Sequence, residues 1–166
     1  MLSKLRPKLY VDSIYYINFE KLKKRGINSV IIDLDNTITE WDNPGLSDQV
    51  FDWFEKMKQA GLKACIVSNN GHKRVAKAVE NLGIPFLARA QKPRRGAFRK
   101  AMEIMGTKPE QTAVVGDQIF TDVLGGNRLG LFTILVVPIN SKEFIGTRIV
   151  RMVERRVLKS LVPQKD

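Results

Sequence analysis

Apolar residues recur along the chain in short runs separated by amphipathic stretches, and the alternation predicts strands and helices in turn. Strand-like runs fall at Val30 to Leu34, Ala64 to Val67, Thr112 to Val115 and Leu131 to Val137, with a weaker one at Pro85 to Ala88. Continuous apolar runs of this length suit strands covered on both faces. Between them the period becomes helical. Ser47 can cap a helix carrying Val50, Phe51, Phe54 and Met57 on one face and ending at Gly61. His72 to Leu82 is a second helix, Arg94 to Met105 a third that stops at Gly106, and Gln118 to Leu129 a fourth. The pattern predicts an α/β fold, a three-layer Rossmann-like parallel sheet with helices on both faces. No repeat, low-complexity tract or interdomain linker interrupts it, so residues 1–166 read as one domain.

In such a sheet ligands bind beyond the carboxyl ends of the strands. Polar residues gather at those ends. Asp33 and Asp35 follow the first apolar run, Ser68-Asn69-Asn70 the second, Gln91-Lys92-Pro93 the weak run, and Gly116-Asp117-Gln118 the run from Thr112. Residues alternate faces along a strand, so Asp33 and Asp35 are expected to point into one site. Two carboxylates so placed repel each other and ask for a cation or a shared proton.

Charge sorts the chain into three parts. The net charge is +11, but residues 29–139 carry 14 basic and 12 acidic side chains, while residues 1–28 carry seven and two and residues 140–166 seven and three. The central part is expected to be the catalytic core, flanked by a basic amino-terminal arm and a basic carboxyl-terminal helix suited to an anionic partner. Aromatic residues make up 8% of the chain and no stacking motif appears, which argues against nucleic acid. The longest apolar stretch, Leu131 to Ile139, is broken by Thr133 and Pro138 and falls well short of the roughly 20 residues a membrane helix needs. With no apolar leader and a single cysteine, Cys65, a cytoplasmic protein is expected.

Each polar cluster has a plainer explanation when taken alone. Asp117 could be a turn residue or a helix cap, Ser68 to Gly71 only a loop, and Lys92 a surface lysine. In order, however, Asp33-Leu34-Asp35-Asn36-Thr37, Ser68-Asn69-Asn70, Lys92-Pro93 and Gly116-Asp117 through Asp122 resemble the four motifs of the haloacid dehalogenase (HAD) superfamily of aspartate-nucleophile phosphatases. The resemblance implies a HAD-like fold and a Mg²⁺-dependent phosphomonoester hydrolase. Asp33 would be the nucleophile that forms an aspartyl-phosphate, and Asp35 the acid and then the base. Ser68 and Asn69 would bind the phosphoryl group, and Lys92 would bridge nucleophile and phosphate. Mg²⁺ would take the carboxylates of Asp33 and Asp117 and the main-chain carbonyl of Asp35, with Asp122 either beside it as a secondary acid or orienting a metal water or the Lys92 ammonium.

Only nine residues separate Thr37 from Ser47, and one helix and a short strand fill the stretch from Ser68 to Lys92. There is no room for an inserted cap domain, so the site should be open and its substrate large or presented by a surface. Residues 2–17 and 145–161 mix apolar and basic side chains. Such stripes suit the surface of an anionic bilayer, or else they dock on the domain's own sheet and leave only their charges exposed. With Gly126-Asn127 and Gly146-Thr147-Arg148, the motifs resemble the compact subfamily IIIA group that includes YqeG-type and mitochondrial phosphatidylglycerophosphate phosphatases. That resemblance implies an anionic phospholipid substrate met at the inner membrane face by peripheral contact. The same chemistry on a nucleic-acid end, sugar phosphate or phosphoprotein is one alternative, and a non-catalytic RNA- or ribosome-binding module on the same scaffold is another.

Overall fold

A computed structural model describes residues 2–140 and 145–161, with side chains from 152 to 160 in the last helix. Six parallel strands form one sheet in the order β1-β6-β5-β2-β3-β4. They are β1 (Leu9–Val11), β2 (Ser29–Ile32), β3 (Lys63–Val67), β4 (Phe86–Leu87), β5 (Thr112–Gly116) and β6 (Phe132–Val136). The helices are α1 (Phe19–Lys24), α2 (Asp48–Gln59), α3 (His72–Val79), α4 (Arg95–Met105), α5 (Leu124–Arg128) and α6 (Ile145–Leu161).

Alternation along β2 shows how both faces are filled. Val30 and Ile32 pack with Trp53 and Met57 of α2 and Val75 of α3, whereas Ile31 packs with Cys65 and with Phe98 and Met102 of α4. Every residue of β2 and β5 is buried, which is why their sequences read as unbroken apolar runs. Ser47 caps α2 as expected, its hydroxyl accepting from the Val50 amide at 3.3 Å. α4 ends at Gly106, whose φ of +68° a residue with a side chain adopts only with strain.

The amino-terminal segment, expected as a basic arm, is built into the fold. Leu9–Val11 is the edge strand, with Leu9 opposite Ile134 of β6, and Ile14, Ile17, Leu22 and Ile27 are buried in the core. Leaving those four side chains in water would forfeit roughly 1.5–3 kcal/mol each, so the stripe docks on the sheet and only its charges stay outside. The single helix expected from Gln118 to Leu129 is instead a π-helical turn, Ile119–Val123, followed by α5. The wider turn sends Asp122 back toward the sheet.

α6 lies against the end of the molecule that holds this turn. Glu154 is buried and Leu158 packs beside Ile119, Val123 and Leu135, while Met152, Val153, Arg155 and Arg156 face outward. The side chains of the Gly146-Thr147-Arg148 stretch lie outside the described residues. No described helix is long and apolar enough to cross a membrane.

Candidate active site

The four polar clusters meet at the carboxyl edge of the sheet. Asp33 sits one residue beyond β2, and its amide still donates to Val115 O at 2.9 Å, so the ladder itself fixes its backbone. The chain then bends through Asn36 in the left-handed region (φ +59°), a conformation Asn tolerates better than most residues. Asp33 and Asp35 both line a cavity of about 370 Å³ whose walls also include Ser68, Asn69, Asn70 and Lys92.

Lys92 is the hub. Its ammonium donates to Asp33 Oδ1 at 2.8 Å and to Asp122 Oδ1 at 2.6 Å. Its backbone is locked from the other side by Asn69, whose Oδ1 accepts from the Lys92 amide at 2.7 Å and whose Nδ2 donates to the Lys92 carbonyl at 3.2 Å. Asn69, expected to bind substrate, thus lines the cavity with its amide engaged on Lys92. Burial works to lower the Lys92 pKa, but the charges of Asp122 and then Asp33 outweigh it and hold the ammonium above its usual range. Burial pushes the Asp122 carboxyl up to about 6, with Lys92 opposing the rise and Asp33 adding to it.

Asp117 follows β5, and the Thr37 hydroxyl lies between its Oδ1 (3.1 Å) and Asp33 Oδ2 (3.2 Å), within reach of either carboxylate. Gly116 is required here, because a Cβ on it would overlap the Asp122 carboxylate. Asp33, Asp117 and Asp122 each offer an oxygen, all within 4.8 Å of one another. Three carboxylates against one ammonium leave negative charge in a nearly dry site, and a set of hard oxygen donors fits a hard divalent cation. The carboxylate of Asp35 stands apart from this cluster, on Asn70 and Arg74.

Ser68 is buried at the end of β3, with its hydroxyl accepting from the Asn70 amide at 3.1 Å. His72 begins α3 and its ring packs on Phe86, as a helix-start residue rather than a cavity group. Trp41, Gln118 and Thr121, which line the cavity with Asn36, were not among the expected site residues, and neither was Arg74. Trp41 carried a signal, being a large aromatic in the short polar stretch where a cap would be inserted. Arg74 carried none, since its partner Asp35 lies 39 residues away.

A family model described as mitochondrial PGP phosphatase matches residues 2–139. The chain belongs to that family. The PGP phosphatase match is supported by a relative from Bacillus subtilis described as probable phosphatase YqeG, 50% identical over 93% of this chain and 90% of its own. Phosphatidylglycerophosphate phosphatase 1 of Arabidopsis thaliana is 31% identical over 92% of this chain, which spans only 47% of the plant protein's length. Among solved structures, the cobalt-bound deoxy-D-mannose-octulosonate 8-phosphate phosphatase of Haemophilus influenzae superposes with a TM-score of 0.56 at 18% identity, covering 84% of this chain and 91% of that one. The corresponding Moraxella catarrhalis enzyme, in complex with magnesium and phosphate ions, gives 0.51 at 15% identity over 86% and 93%. The protein is a HAD-type phosphatase of the YqeG kind, and its substrates are phosphate esters.

Proposed function

We propose that the cavity hydrolyses phosphomonoesters through an aspartyl-phosphate on Asp33, that Mg²⁺ is the cation, and that the physiological substrate is phosphatidylglycerophosphate. The observation that carries the chemistry is the contact of Lys92 Nζ with Asp33 Oδ1 at 2.8 Å, which places a buried positive charge beside the acid that would attack phosphorus. Asp33 forms the new P–O bond as the bond to the leaving oxygen breaks, and Asp35 gives its proton to that oxygen. Water then attacks the phosphorus of the intermediate, loses its proton to Asp35 and frees both phosphate and the Asp33 carboxylate. Lys92, the Ser68 hydroxyl and nearby amides hold the phosphoryl oxygens where charge accumulates. Mg²⁺ would be held by Asp33 and Asp117 with the Asp35 carbonyl, Asp122 adjoining, and would supply charge neutralisation between carboxylate and phosphate.

The lipid assignment rests on the named plant relative, on a cavity that no inserted domain covers among the described residues, and on α6, which presents Met152, Val153, Arg155 and Arg156 outward. An apolar pair beside two arginines suits peripheral contact with an anionic bilayer.

Asp33→Asn should abolish metal-dependent release of phosphate from an aryl phosphate while the melting temperature is kept. Wild-type turnover in that variant would remove Asp33 from its role. A comparison of kcat/KM on phosphatidylglycerophosphate in mixed micelles, nucleotides and sugar phosphates tests the substrate. A soluble sugar phosphate in first place would overturn the lipid assignment and leave the chemistry standing.

A further inference from the structure

Arg74 belongs to none of the four motifs, yet it grips the acid that the mechanism moves. Its Nη2 donates to Asp35 Oδ1 at 3.0 Å, while Asn70 Nδ2 donates to the other oxygen, Oδ2, at 3.1 Å. The same guanidinium donates to the main-chain carbonyls of Glu40, at 3.0 Å, and Asn43. One side chain therefore ties α3 to Asp35 and to the loop that sets Trp41 on the cavity wall. The Arg74 and Asp35 side chains are only 19% and 22% exposed, so water screens the pair weakly. Arg74 Nε is buried without a partner, a cost tolerated for the fork of contacts its Nη atoms make.

We propose that Arg74 is a positioning residue for proton transfer by Asp35, an inference that rests on the role of Asp35 given above. A guanidinium only donates, so Arg74 holds Asp35 through Oδ1 and, with Asn70 on Oδ2, sets the orientation of the carboxyl that gives up the proton. As the Asp33–phosphorus bond forms and the bond to the leaving oxygen breaks, that proton passes to the leaving oxygen. Asp35 is left as a carboxylate still paired with Arg74. The carbonyls of Glu40 and Asn43 fix the guanidinium, and through it the direction in which the Asp35 carboxyl faces.

The test is kcat/KM, which reports the steps up to formation of the aspartyl-phosphate, measured on an alkyl phosphomonoester and on p-nitrophenyl phosphate. A poor leaving group needs the positioned proton and a good one does not. Arg74→Gln should lose tenfold or more on the alkyl ester and less than threefold on the aryl ester, with Arg74→Lys between wild type and Arg74→Gln. In an Asp35→Asn background, Arg74→Gln should have no further effect on the alkyl ester, because it acts through the carboxyl already removed. Equal losses on both esters, or an undiminished Arg74→Gln effect in that background, would overturn the proposal while leaving the role of Asp35 intact. Wild-type kcat/KM for Asp35→Asn alone on the alkyl ester would remove the role of Asp35 and this inference with it. Arg74→Lys keeps one ion pair and serves the same comparison if Arg74→Gln does not fold.

Discussion

Lys92 Nζ lies 2.6 Å from Asp122 Oδ1, and the two side chains are only 3% and 2% exposed. A second acid, Asp33, shares the ammonium at 2.8 Å. Removing one partner of a buried ion pair costs about 3–5 kcal/mol, because the remaining charge stays in the dry interior.

Lys92→Met should therefore lower unfolding free energy by about that amount in chelator and cut kcat at least ~10²-fold. Adding Asp122→Asn should restore part of the stability but none of the activity, since it removes the stranded charge without replacing the cation. Denaturant unfolding of the single and double variants checks this, and additive losses would show that the pair is not coupled.

The carboxylates of Asp33, Asp117 and Asp122 crowd one another, so a divalent cation should stabilise the fold. Mg²⁺ at ~100 times its dissociation constant should add about 2.7 kcal/mol, seen as a rise in Tm over protein in chelator. Asp117→Asn should shrink that rise. An unchanged metal-induced shift in this variant would place the cation elsewhere.

Much of the site was legible because a parallel sheet delivers its loops to one edge, so residues after four apolar runs converge whatever their separation in sequence. Asp33, Ser68, Lys92 and Asp117 follow that logic. The edge strand Leu9–Val11 escaped it, since half-buried Leu9 and Val11 flank an exposed Tyr10 in too short a stretch to stand out, and neighbouring lysines disguise a docked segment as a solvated arm. The π turn at Ile119–Val123 was hidden because one extra residue in a turn barely disturbs helical periodicity. Arg74 falls in the first turn of α3 and outside all four motifs, so nothing in the sequence ties it to Asp35.

On α6 the exposed Arg155 and Arg156 beside Met152 and Val153 predict salt-sensitive binding to anionic vesicles. Each basic residue near such a surface contributes roughly 1 kcal/mol, so Arg155→Gln/Arg156→Gln should weaken partitioning about thirtyfold in cosedimentation. Hydrolysis of a soluble aryl phosphate should not change. Equal binding of wild type to neutral and anionic vesicles at low salt would refute the electrostatic reading.

Cys65, fully buried in β3, has its thiol pushed by burial from 9.0 up to about 11. The fold favours the neutral thiol, so the unfolded chain gives up its proton first as pH rises past about 9. This contribution to stability is complete below that pH and is lost progressively toward 11. Cys65→Ala should be less stable at neutral pH but decline less steeply over that alkaline range in denaturant titrations. A thiol reagent at pH 8 should label the native protein only as fast as β3 opens.

Gly116 separates a packing role from a chemical one at the same spot. It takes no part in the reaction, but a Cβ there would overlap the Asp122 carboxylate, which already accepts from the Gln118 amide at 3.3 Å and holds Lys92. Gly116→Ala cannot be absorbed by swinging Asp122 aside without breaking its contact with the ammonium, and β5 is too tightly held between β2 and β6 to shift instead. The variant should fold with a Tm a few degrees lower and lose at least tenfold in kcat. Asp122→Gly makes room for the methyl group but strips a partner from buried Lys92, so against Asp122→Gly alone the added Gly116→Ala should cost little further Tm while activity stays low. If the single variant kept full activity, Asp122 would have no part in holding Lys92 for the reaction.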